Sequence, residues 1–199
     1  MKSARYGVNR SFFARPPRVV ARELIGASLF VAGVGGVIVE TEAYAHDDPA
    51  SHSFSGRTAR NAAMFGETGT AYVYRSYGLH WCLNVVCGAE RGCAVLLRAL
   101  EPLAGLPAMQ ERRGVANPRL LCSGPGRLCQ ALGVTGALDG APLDQPPFLI
   151  VARATAPKII AGRRIGVSRA AEKPWRFGLG GSSFFSKPFK GTGRAAPLS

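Results

Sequence analysis

The chain has 199 residues, 47% of them hydrophobic, and carries 25 Lys plus Arg against 12 Asp plus Glu, a formal net charge of +13. That length and apolar content suit one packed core and exclude a disordered or low-complexity chain. Arginine supplies 20 of the 25 cations, ten Lys or Arg face a single acid, Glu172, over residues 145–199, and such a surface suits a polyanion as well as plain solubility.

In chain order, residues 1–15 read as a polar lead-in without fixed structure. No apolar stretch follows the basic start, so neither a signal peptide nor a membrane anchor is expected. Pro16 and Pro17 then open a helix over residues 18–25, which Gly26 stops. Residues 28–32 and 37–44 form a β-hairpin around the glycine-rich turn 33–36. The uncharged run that contains it, residues 24–39, is too short and too glycine-rich to cross a bilayer.

A polar loop, residues 45–61, leads to a second hairpin, 71–75 and 80–87, whose turn lies near Ser76, Tyr77 and Gly78. Residues 93–100, charged only at Arg98, read as a central strand. Helices follow at 106–113 and 125–132, the second marked by Ser123 as its cap, Pro125 in its first turn and Gly133 past its end. Its open N-terminal amides suit either a phosphate or ordinary packing. Two or three further strands fall between residues 148 and 177, and residues 180–199 read as a frayed tail.

Chemistry concentrates in residues 37–52, VIVETEAYAHDDPASH, which hold four acids and two of the three histidines. With a period of two, Ile38, Glu40, Glu42 and Tyr44 share one strand face, opposite Val37, Val39, Thr41 and Ala43. A carboxylate beside an aromatic wall is partly desolvated and can serve as a general base. Either glutamate can fill that role, and a solvated face or an ion pair with Arg98 accounts for them equally well. His46, Asp47, Asp48 and His52 could be mistaken for a metal site, but Asp-Asp-Pro reads as turn chemistry and no helical His pair is present. The five cysteines, odd in number and without a C-x-x-C pair, read as reduced core thiols.

Tyr72, Tyr74, Tyr77, His80 and Trp81 lie within ten residues. That density suits base stacking or insertion into a duplex, although β-propensity and packing account for Tyr72, Tyr74 and Trp81. Tyr77, beside the turn glycine, is expected to be exposed. Asn84 interrupts an apolar run, so its amide needs a partner, either a base edge or backbone.

These motifs together resemble the alkyladenine (3-methyladenine) DNA glycosylase family. They are VETEAY from Val39, A-x-HSF around His52 with Arg57, Arg60 and Asn61, and GTAYVYRSYGLHWCLN from Gly69. AVLLRALEP from Ala94, LCSGPGRLCQALG from Leu121, RIGVSRA from Arg164 and KPWRF from Lys173 follow in order. The resemblance implies that Glu42 is the general base that activates water for attack on the deoxyribose C1′, with Glu40 its neighbour. It implies that Tyr44, His52 and Tyr74 wall a base pocket, with the His52 backbone amide facing the flipped base. Asn84 would form the floor and disfavour the amine of normal guanine. Arg98 would sit near the base or its phosphate, and Tyr77 would fill the gap left in the duplex.

Implied with it are double-stranded DNA containing damaged purines as partner, no metal or organic cofactor, no obligate protein partner and no strand cleavage. A bacterial-type monomer in the cytoplasm, near the nucleoid, completes that expectation. The loop before His52 is about a residue shorter than in mammalian members, and Arg75, Ser76 and Arg127 depart from the family's usual residues, which bears on substrate range and tip geometry. The expected fold is α+β (mixed), a single domain with a curved, largely antiparallel β-sheet, flanking helices and a protruding DNA-inserting β-hairpin. The competing readings are a non-catalytic DNA- or RNA-binding protein and a metal-dependent hydrolase built on His46, Asp48 and His52.

Overall fold

A computed structural model describes residues 7–189. Its centre is β2 (Val34–Tyr44), an eleven-residue strand flanked along one edge by β5 (Cys93–Ala104). Its other edge is divided. The first part pairs with β1 (Ser28–Val31), and residues 40–42 pair with β8 (Arg176–Leu179). β5 continues outward to β4 (His80–Cys87) and β3 (Ala71–Ser76), while β1 continues to β6 (Phe148–Val151) and β8 to β7 (Ile159–Gly162). All of these pairings are antiparallel, and the sheet curls around the helices as one mixed α+β domain.

The first hairpin turns more tightly than its sequence suggests. Ala32 and Gly33 alone form the turn, with φ of 48° and 81°, the sign that a two-residue type I′ loop demands. Gly35 and Gly36 belong to β2 instead, because the neighbouring strands press against them. A Cβ at Gly35 would lie 1.9 Å from the Leu29 carbonyl oxygen, and one at Gly36 would lie 2.0 Å from that of Glu101. β5 likewise runs past residue 100, because the register shift at Gly35/Gly36 admits Pro102 opposite Gly36.

Helix α1 (Arg10–Phe13) corrects the expectation of an unstructured lead-in for the part that is described. Asn9 accepts the Phe12 amide through its side chain, and Phe13 is fully buried, which on general grounds contributes about 1.5–3 kcal/mol. Helix α2 (Pro17–Leu24) buries Val20, Ala21 and Leu24 against β2 and β5, and Thr41 donates its hydroxyl to the Ala21 carbonyl. Helices α3 (Leu106–Arg113) and α5 (Pro125–Leu132) fall where the sequence placed them, with a short α4 (Pro118–Leu121) between. Gly124 rather than Ser123 caps α5, and the Ser123 hydroxyl accepts from Arg127 at 3.2 Å.

The presumed frayed tail is also ordered over residues 180–189. Arg176 donates to the backbone oxygens of Lys187 and Pro188, and Phe189 is buried beneath the Arg176 guanidinium. Residues 1–6 and 190–199, the rest of the expected lead-in and tail, lie outside the described residues. No helix among those described is long and apolar enough to cross a membrane.

Candidate active site

The alternation along β2 breaks where the strand bulges. Register shifts against β5 between Ile38 and Glu40, and again before Thr41, turn Ile38 into the main core with Ala43. Ile38 therefore does not share the face of the two glutamates. Glu40, Glu42 and Tyr44 do share one, and both carboxylates are fully buried rather than solvated.

Their environments separate them. Glu40 is saturated: its Oε1 accepts from Arg98 Nε at 2.9 Å, Arg176 Nε at 2.7 Å and Ser186 Oγ at 2.8 Å, and its Oε2 accepts the Ser186 amide at 2.6 Å. Glu42 accepts the Ile165 amide on Oε1 at 2.7 Å, and on Oε2 the Tyr44 hydroxyl at 2.8 Å and Arg98 Nη1 at 3.3 Å. The three donors to Glu42 all line a cavity of about 500 Å³, within the range of small-molecule sites. Glu42 thus lies one layer behind the cavity wall. For Arg98, burial pulls the pKa down, but the adjacent Glu42 and Glu40 carboxylates more than reverse this and hold the guanidinium charged.

Tyr44, His52, Tyr74, Asn84 and Arg98 all meet at this cavity, and Tyr77 stands at its rim. The aromatic rings are ordered against one another. His52 meets Tyr74 edge-on at 4.5 Å and shares a 3.0 Å hydrogen bond between Nδ1 and the Tyr72 hydroxyl, while Tyr72 and Tyr74 stack at 5.3 Å. Burial, assisted by the Arg60 charge, lowers the His52 pKa, so the imidazole is neutral near pH 7. Burial also raises the three phenols: Tyr72 to about 12, Tyr74 upward, and Tyr44 well upward with Glu42 adding to the effect. The result is a wall of neutral rings with a carboxylate behind it.

The loop carrying His52 is fixed from below. Asn61 donates to the backbone oxygens of His52 and Gly56, and its side-chain oxygen closes a capping box with Thr58. Asn84 donates to the Tyr72 carbonyl at 3.0 Å across the β3–β4 pair, so its amide is satisfied by backbone while it lines the cavity. At the hairpin tip Tyr77 is 89% exposed with φ of 50°, and Leu79 beside it is also exposed.

Three further residues belong to this site. Tyr72 is found by the period that placed Tyr74, since the two are separated by one position on β3. Asn61 carries a local signal in Thr58-x-x-Asn61. Arg164 opens the RIGVSRA motif, but nothing local ties it to this site: its guanidinium lies 4.7 Å from the Tyr44 ring and 5.3 Å from Trp175, and it pairs with Asp48, fully buried and 116 positions away. The metal-hydrolase reading does not fit this geometry. His46 pairs with Glu90 at 2.8 Å, Asp48 with Arg164 and His52 with Tyr72, and no cluster of three such groups converges among the described residues.

Comparison with known sequences places the chain among its relatives. A sequence model of the methylpurine-DNA glycosylase family matches residues 11–183. Relatives named "Putative 3-methyladenine DNA glycosylase" include one from Rhodopseudomonas palustris strain BisB18, 64% identical over 183 residues that cover 92% of each chain. One from Agrobacterium fabrum is 60% identical over 92% of this chain and 94% of its own, and one from Nitrosospira multiformis is 60% identical over 86% and 89%. A match of this extent, at this identity, establishes that the chain belongs to the methylpurine-DNA glycosylase family.

Proposed function

We propose that the protein is a monofunctional DNA glycosylase that rotates an alkylated or deaminated purine out of the duplex and hydrolyses its N-glycosidic bond. The single observation that carries this reading is Glu42, held by Tyr44, Arg98 and the Ile165 amide directly behind a cavity of neutral aromatic rings. In that role Glu42 takes a proton from water as the oxygen attacks C1′. The C1′–N bond breaks, its electron pair leaves with the base, and an abasic site remains.

A purine methylated at N3 or N7 is cationic and departs as a neutral base, so one general base and an aromatic cradle suffice, whereas hypoxanthine and ethenoadenine are neutral and take a proton from water as they depart. The π-faces of Tyr74 and Tyr44 attract such a cation, and a neutral His52 does not repel it. No lysine lines the cavity among the described residues, in keeping with hydrolysis without strand cleavage. Asn84 on the floor disfavours the exocyclic amine of normal guanine. Tyr77 enters the minor groove and replaces the displaced nucleotide, since flipping costs on the order of a few kcal/mol and an exposed aromatic at positive φ is otherwise strained. Lesion-containing duplex DNA is the partner, and the excess of arginine serves its phosphates.

Single-turnover excision from duplexes carrying 3-methyladenine, 7-methylguanine, hypoxanthine or ethenoadenine tests the reading. Glu42→Gln is expected to abolish excision while duplex binding persists; undiminished excision by this variant would refute the assignment. A wild-type protein that binds these duplexes and releases no base would favour a non-catalytic nucleic-acid-binding protein.

A further inference from the structure

Beyond the stretch matched by the family model, which ends at residue 183, one side chain reaches the centre of the site. Ser186 accepts Arg98 Nη2 on its hydroxyl oxygen at 3.2 Å, and the same hydroxyl donates to Glu40 Oε1 at 2.8 Å. Its backbone amide closes the other oxygen of Glu40 at 2.6 Å. Arg98 is therefore fixed at three points: Nε on Glu40, Nη2 on Ser186 and Nη1 on Glu42.

The contact to Glu42 is the longest of the three, at 3.3 Å. A guanidinium is a rigid planar fork, so two anchored nitrogens fix the direction of the third. Glu40 is the deeper anchor, held also by Arg176 at 2.7 Å, and with Nη2 released only the 3.3 Å contact to Glu42 would oppose a pivot of Arg98 about its bond to that carboxylate. Ser186 is what holds Nη2. Without the hydroxyl, Nη2 has no acceptor among the described residues in a site where Arg98 is 6% exposed, and the fork is free to turn toward the cavity that it lines.

We infer that Ser186 is a positioning residue for the reaction: it aims the Arg98 fork at Glu42 and thereby keeps that carboxylate set toward the cavity. The inference rests on the reading of Glu42 as the base. The segment that carries Ser186 is pinned independently of the hydroxyl, by Arg176 on the Lys187 and Pro188 carbonyls, by Phe189 buried beneath the Arg176 guanidinium at 3.8 Å and by the Ser186 amide on Glu40. Loss of the hydroxyl alone therefore leaves the chain path in place, and Ser186 is itself only partly buried.

The test is single-turnover excision and lesion-duplex binding by the full chain for Ser186→Ala, Ser186→Thr and Glu42→Gln, with melting curves for each. Ser186→Ala is expected to lower the excision rate constant about tenfold, with the dissociation constant held within about twofold, as misalignment of a reacting group does. Ser186→Thr, which keeps the hydroxyl, is expected to restore most of the rate. Should Ser186→Ala not fold, the near-isosteric Ser186→Cys carries the same comparison, because a thiol is a weak donor and acceptor. Wild-type excision by the Ala or Cys variant beside an inactive Glu42→Gln would overturn this inference alone, as would a loss in binding without a loss in rate or a failure of Thr to rescue. Undiminished excision by Glu42→Gln would overturn the reading of the base, and the inference with it.

Discussion

Tyr44 donates its hydroxyl to Oε2 of Glu42 at 2.8 Å, from two positions further along the same strand. The phenol lines the cavity while the carboxylate is fully buried, so this bond orients Glu42 from the cavity wall. Tyr44→Phe keeps the ring and removes that bond. A hydrogen bond to a charged group is worth about 1.5–3 kcal/mol, so excision is expected to fall by about tenfold or more while lesion binding changes little. Single-turnover rates against binding isotherms measure the two effects, and an unchanged rate would show that the bond has no part in catalysis.

Asp48 and Arg164 form a pair with no side-chain exposure on either partner. Breaking such a pair leaves a buried charge without its counterpart, which on general grounds costs about 3–5 kcal/mol. Asp48→Asn is therefore expected to lower the unfolding free energy by that order and to loosen the Tyr44 wall that Arg164 supports. Urea unfolding checks it; a loss below about 1 kcal/mol would mean that Lys173 and the carbonyls of Ala43 and Ala170 already satisfy the site.

His52 yields a pH dependence whose sign follows from its environment. Burial first, and the Arg60 charge second, depress its pKa below the ordinary value of 6.5, so the folded protein favours the neutral ring. As pH falls below the ordinary value, the unfolded chain takes up the proton first, and this contribution to stability declines. In the site, a protonated His52 opposes a cationic base but not a neutral one. Affinity for 7-methylguanine DNA is expected to decline more steeply than affinity for hypoxanthine DNA between about pH 7 and pH 5. Parallel titrations of the two duplexes decide, and equal slopes would count against a role for the ring charge.

At the hairpin tip, Tyr77→Ala removes the 89% exposed ring. The variant is expected to capture the extrahelical state poorly, seen as a reduced rise in 2-aminopurine fluorescence next to the lesion, with its melting temperature unchanged. A wild-type fluorescence signal would rule out insertion by this residue.

Much of the architecture is legible in local patterns. Helix α3 and helix α5 follow from their Pro and Gly punctuation, and β3 and β4 from alternation about a turn glycine. The errors have physical causes. Ile38 changes face because a bulge breaks the period of two, and residues 10–13 and 180–189 are ordered because Phe13 is buried in the main core and Phe189 beneath the Arg176 guanidinium. Composition alone shows neither effect. Within the site, Glu40 and Glu42 are equivalent by spacing; what distinguishes them is the count and origin of their donors, which come from β5, β8 and loops far along the chain. The parts played by Arg164 and Ser186 are invisible for the same reason, since each acts through a contact that only the folded chain brings together.

The five cysteines acquire a meaning from the company this family keeps. All are free and buried, and burial raises every one of them: Cys122 to about 12, and Cys82, Cys87, Cys93 and Cys129 upward as well. Electrophiles that methylate purines react faster still with thiolate sulfur, and thiolate is the form that these environments suppress. A repair protein must outlast the reagents that create its substrates, and this fold favours the protonated form of its own softest nucleophiles, even at Cys82, which lines the cavity.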